Sequence, residues 1–101
     1  MSDTPSKGPT GAKPAYEESL FEFPTEYPLK VAGKNTVDFE QTVVQIVRRH
    51  VADFDDSTVT VRESKGGKYL AVSVSFTAQS KAQLDALYRD LTAHADIVWA
   101  L

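Results

Sequence analysis

Along Lys68–Ala78 the large aliphatic and phenylalanine side chains recur at every second position. Leu70, Val72, Val74 and Phe76 fall on one side of an extended chain, and Tyr69, Ala71, Ser73, Ser75 and Thr77 on the other. A period of two held over this length, enriched in β-branched and aromatic residues, predicts a strand. Burying its four large apolar side chains contributes about 6–12 kcal/mol gross, at about 1.5–3 kcal/mol each. One apolar and one polar side place this strand in the middle of an antiparallel sheet covered on one face only.

The other segments arrange themselves around it. Pro24 and Pro28 hold the residues before them out of the helical region, so Leu20-Phe21-Glu22-Phe23-Pro24 leads extended into a first strand, Tyr27–Ala32, with Tyr27, Leu29 and Val31 on one side. Gly33-Lys34-Asn35 is a turn, and Asn35 or Thr36 is the expected helix cap. Phe39, Val43, Ile46, Val47 and His50 then recur at helical spacing, giving a helix that ends near Val51 or Ala52. Thr58–Ser64, rich in Val and Thr, is a second strand, and Lys65-Gly66-Gly67 a hairpin turn. Ser80 with Gln83 forms a capping box. Leu84, Leu87, Tyr88 and Leu91 mark a second helix ending near His94, and Asp96–Leu101 is a short last strand. The order strand, helix, strand, strand, helix, strand is the ferredoxin-like βαββαβ pattern of α+β proteins. It implies a two-layer sandwich: a four-stranded antiparallel sheet with both helices on one face, the other face left uncovered.

Composition narrows the function. Residues 1–19 are rich in Pro, Gly, Ser and Thr and read as a disordered tail, so the domain is expected over 20–101. Without Cys, disulfides, a thiol nucleophile and Cys-based metal sites are excluded. The apolar runs are too short to span a membrane, and the first fifteen residues lack a secretory h-region. A net charge of −3 argues against a general nucleic-acid binder.

Leu20-Phe21-Glu22-Phe23-Pro24-Thr25, Lys30-Val31-Ala32-Gly33, Val47-Arg48-Arg49-His50, Ser64-Lys65-Gly66-Gly67-Lys68-Tyr69, Val72-Ser73-Val74 and Asp96-Ile97-Val98 together resemble the YbeD-like family of small bacterial proteins. The similarity covers about Ser19 to Leu101; the longer Pro-rich tail departs from it. The resemblance implies a fold like that of the ACT-type regulatory domains of amino-acid metabolism; the lack of Cys, of a membrane-length apolar run and of a secretory h-region leads to the expectation of a cytoplasmic setting. Family members carry the label of proposed lipoate regulatory proteins, which names no active residue, so no catalytic residue and no cofactor follow from it.

Individual constellations add little chemistry. Acylphosphatases of this fold use a glycine-containing loop after the first strand and a phosphate-binding Arg at the start of the first helix; Glu40 stands where that Arg would be and would repel a phosphoryl group. Lys65-Gly66-Gly67-Lys68-Tyr69 resembles the basic-glycine-aromatic motif of RNA-recognition domains, but Ala71, Ser73 and Ser75 follow on the outward side, so a second stacking aromatic is missing there. His50 and His94 lie near helix ends with no nucleophile or carboxylate at telling spacing. Arg48-Arg49 reads as a solvated helix face. Asp53, Asp55 and Asp56 lack the glycine and distal Glu of a calcium loop. No metal site is expected. Trp99 is either core or interface.

The sequence therefore points to a non-catalytic regulatory or adaptor domain acting through a protein or a small metabolite. Two regions are candidates. Gly33, Lys34, Asn35 and Thr36, at a helix start, are suited to a small anionic ligand. Lys30, Ala32, Ser73 and Ser75, small or flexible and outward on the middle strands, are suited to a protein partner or a second copy.

Overall fold

A computed structural model describes residues 22–101; the expected tail lies outside them. The elements are β1 (Thr25–Lys34), α1 (Phe39–His50), a 3-10 turn (Asp56–Thr58), β2 (Thr60–Glu63), β3 (Tyr69–Ala78), α2 (Lys81–Thr92) and β4 (Ile97–Ala100). The sheet order is β2-β3-β1-β4, with every neighbour antiparallel, as the pattern requires.

β3 faces as its alternation predicts. Val72, Val74, Phe76 and also Ala78 are buried, while Tyr69 and Thr77 are exposed. Tyr27, Leu29 and Val31 of β1 join them on the inner face. Phe39, Val43, Ile46 and Val47 of α1 and Leu84, Leu87, Tyr88 and Leu91 of α2 close over that face in one cluster. The polar element inside it is paired: the Tyr27 and Tyr88 hydroxyls lie 2.8 Å apart, their rings edge to face.

The ends of elements depart from expectation for identifiable reasons. β1 runs on through Gly33 and Lys34, which pair with Leu70 and Tyr69, so the turn starts later. The cap of α1 is Asp38, not Asn35 or Thr36, and it makes no side-chain cap bond. Asn35 is drawn away to the β2–β3 hairpin, where its amide donates to the Gly67 carbonyl at 2.8 Å; Thr36 donates its hydroxyl to Asp38 Oδ1 at 3.1 Å. β2 starts two residues late because Asp55 accepts from the Ser57 N–H and caps the 3-10 turn instead. The acidic loop is also anchored: Phe54 is a core residue, and Arg48 pairs with Asp56 at 2.7 Å. By contrast α2 is capped as read. Ser80 accepts from the Gln83 N–H at 3.1 Å, and the Gln83 side chain accepts from the Gln79 N–H and donates to the His50 carbonyl at 2.8 Å, tying the end of α1 to the start of α2.

β4 carries the least expected feature. Ala100, Trp99 and Ile97 pair with Val31, Ala32 and Gly33, leaving Val98 as an extra residue, a β-bulge. Strict alternation would put Ile97 and Trp99 on the same side. The bulge breaks the phase, so Ile97 and Ala100 both enter the core while Val98 and Trp99 go elsewhere.

Candidate functional site

With both helices on the inner face, the outer face of the sheet is where described side chains meet solvent in rows. The strand register defines those rows. Arg62, Ala71, Ala32 and Trp99 are successive partners across all four strands. Thr60, Ser73 and Lys30 form the next row, and Lys30 exchanges both backbone hydrogen bonds with Leu101. Ser75 and Pro28 form the row after that, with Thr58 bonded to the Ser75 backbone. Toward the hairpin, Tyr69 pairs with Lys34.

Two hollows result. The first, about 460 Å³, has Ala32 and Ala71 as its floor and is bounded by Tyr69, Val98, Trp99 and Arg62. Tyr69 and Val98 are each 45% exposed, so this is an apolar surface open to solvent. The second, about 540 Å³, is more polar, lined by Lys30, Ser73, Ser75, Thr58, Thr60 and neighbouring backbone.

Of the four expected surface residues, Lys30, Ser73 and Ser75 come together in one hollow, and Ala32 lies in the other. One expectation is corrected. Nothing was to cover these residues, yet Ala32 is only 7% exposed, because its methyl sits low beside the larger Trp99. Sequence reasoning left Trp99 undecided and did not find Val98 or Arg62. Arg62 was findable, since it lies opposite Ala71 once the hairpin is set in register; the bulge that turns Trp99 and Val98 outward leaves no signal in a strand of four residues.

The other candidate region sits at the hairpin end. Gly33 is buried, and a β-carbon there would run into the Asp96 carbonyl and the Phe39 ring, so its small size serves packing. Lys34 lies 3.9 Å from Asp96, and Asn35 and Thr36 make the bonds described above. The polar groups of this loop are engaged within the chain. Away from both regions, His50 donates to Asp90 at 3.0 Å and Arg49 to the same oxygen at 3.0 Å. The His50 bond, helped by Arg49, holds the Asp90 carboxyl below the usual carboxylate range. No three His, Asp or Glu side chains converge among the described residues, and no described helix is long and apolar enough to cross a membrane.

The family described as "Protein of unknown function (DUF493)" matches residues 18–101. The chain belongs to this family. The resemblance to YbeD-like proteins is thereby borne out over the span read from the sequence. Among relatives of this DUF493 domain, UPF0250 protein NE1487 of Nitrosomonas europaea is 42% identical over 85 residues, covering 84% of this chain and 98% of its own. UPF0250 protein RSc0326 of Ralstonia nicotianae is 45% identical over 92 residues, 91% of this chain and 88% of its own. The DUF493 fold is also that of protein HP0495 from H. pylori, whose solution structure superposes with a TM-score of 0.66 at 16% identity, over 90% of this chain and 97% of that one.

Proposed function

We propose that this DUF493 domain is a regulatory or adaptor module that works by binding, and that its open sheet face holds the partner, a protein or a small metabolite of the cell's metabolism. The observation that carries this reading is the first hollow. Two alanine methyls floor an apolar recess on the middle strands, rimmed by Trp99, Val98 and Tyr69, on the face that both helices leave open. Exposed apolar surface of this kind, rimmed by polar groups, marks recognition sites. The alternatives from the sequence have less support. An acylphosphatase-like enzyme lacks its phosphate-binding Arg, and the Gly33–Thr36 loop has its polar groups engaged within the chain.

The test fills the hollow. Ala71 is half-buried on its floor, so Ala71→Tyr occupies the recess from a position that does not face the core. Wild type and variant are compared by thermal shift against panels of amino acids, nucleotides and carboxylic acids, and by affinity capture from bacterial extract. Ligands or partners held by wild type and lost by a folded Ala71→Tyr variant support the reading. Partners retained at equal affinity refute it.

A further inference from the structure

Resting on that reading, we infer that the occupant of the open face is an acidic segment of another protein, which sets one aromatic or aliphatic side chain on the alanine floor between Arg62 and Trp99.

The register fixes the slot. Arg62 and Trp99 stand at the two ends of a row spanning all four strands, with only Ala71 and Ala32 between them. At about 4.8 Å per strand the end residues are about 14 Å apart. That width admits one side chain of an extended segment, resting on two methyl groups. Tyr69 stops the slot on the hairpin side.

Charge selects the occupant. The chain is net negative, at −3. On the helical side Arg48 is paired with Asp56 at 2.7 Å, Arg49 with Asp90 at 3.0 Å and Lys81 with Asp85 at 3.2 Å, while Arg89 has no ion-pair partner among the described residues. On the open face, Arg62 and Lys30 have no ion-pair partner among the described residues, whereas Lys34 is paired with Asp96 at 3.9 Å. Lys65 and Lys68 lie on the adjoining hairpin. Of the carboxylates, Glu63 lines the slot beside Arg62 and accepts from the Asn35 amide at 3.5 Å, Asp96 is paired with Lys34, and Glu26, opposite Thr77, lies at the far end, so Arg62, Lys30, Lys65 and Lys68 remain in excess. An apolar slot flanked by uncompensated cations is complementary to carboxylates that surround an apolar anchor.

The same observations disfavour other occupants. Two copies meeting face to face would bring Arg62 and Lys30 against the same set. Single-stranded RNA stacks its bases on sheet aromatics; here the middle strands carry Ala32, Ala71 and Ser73 at the centre, and the aromatics of this face, Tyr69 and Trp99, stand at its hairpin end and on an edge strand.

A phage-displayed library of random 12-residue peptides, selected on the immobilised full chain, tests the proposal. Enrichment of sequences with Asp or Glu on both sides of Phe, Trp or Leu is expected. Synthetic copies, followed by fluorescence anisotropy, should bind less tightly as salt rises. They should lose at least about tenfold in affinity to Arg62→Glu, a change at an exposed position, and to Ala71→Tyr. Neutral or basic peptides whose binding Ala71→Tyr abolishes would leave the face as a recognition surface and overturn its acidic occupant. Peptides indifferent to Ala71→Tyr would overturn both. An empty selection, or a random 12-nucleotide RNA bound more tightly than any selected peptide, would also overturn the acidic segment.

Discussion

Replacing Gly33 with Ala should destabilise the domain by about 2 kcal/mol, for steric reasons alone. Gly33 does not have a positive φ, unlike Gly66 and Gly67 of the hairpin, so alanine meets no backbone strain there. The obstacle is space. A β-carbon would come within 3.0 Å of both the Asp96 carbonyl oxygen and the Phe39 ring, where ordinary contact begins at 3.4 Å. Neither neighbour yields easily. Phe39 is a core residue at the first turn of α1, and the Asp96 carbonyl accepts the Lys34 N–H at 2.9 Å. Overpacking of this kind costs about 1–3 kcal/mol, and the squeeze from two sides places it high in that range. Reduced freedom of the unfolded chain returns about 0.4–1 kcal/mol. The net should lower the midpoint of thermal unfolding by about 10 °C for a domain of this size. Urea unfolding should show a lower midpoint with an unchanged slope. A loss below about 0.5 kcal/mol, typical of surface changes, would refute the packing account and return Gly33 to the candidate ligand residues.

Other perturbations follow from the same contacts. Leu87→Ala should cost about 3 kcal/mol in urea unfolding, because Leu87 is fully enclosed between α2 and the sheet; a surface-like loss would show α2 to be wrongly faced. Ser80→Ala should cost about 1 kcal/mol by removing the cap on the Gln83 N–H, and an unchanged midpoint would show that the cap contributes nothing. Asp90→Asn should destabilise at neutral pH. The native carboxyl sits below its ordinary value of about 3.9, so its stabilising contribution is complete above that value and is lost as pH falls through the depressed native one. Urea midpoints of wild type and Asp90→Asn should therefore converge in acid, and a gap of constant size down to about pH 2.5 would contradict the pairing with His50 and Arg49.

Much of the framework was legible because single-phase patterns survive folding. Val72, Val74 and Phe76 alternate with Ala71, Ser73 and Ser75 over a strand long enough to average out local exceptions, and Ser80 with Gln83 specifies a helix start using only neighbouring groups. What escaped depended on contacts distant in sequence. Asn35 has the chemistry of a cap, yet the Gly67 carbonyl, far along the chain, captures its amide. Phe54 stands among aspartates and looks solvated until the sheet and helices form a core for it. In the candidate site, Lys30, Ala32, Ser73 and Ser75 were placed by alternation alone, while Trp99 and Val98 depended on one extra residue whose effect appears only when β4 is laid against β1.

That extra residue also acts at the rim of the sheet. β4 is an outer strand, and a flat outer strand would offer a row of free N–H and C=O groups on which another chain could build. At Val98 the spacing of those groups is broken and the strand bends, so an incoming strand finds no continuous ladder to continue. The opposite rim is β2, four residues long and carrying Arg62 and Glu63. The bulge on one margin and the short, charged strand on the other both oppose the addition of a further strand.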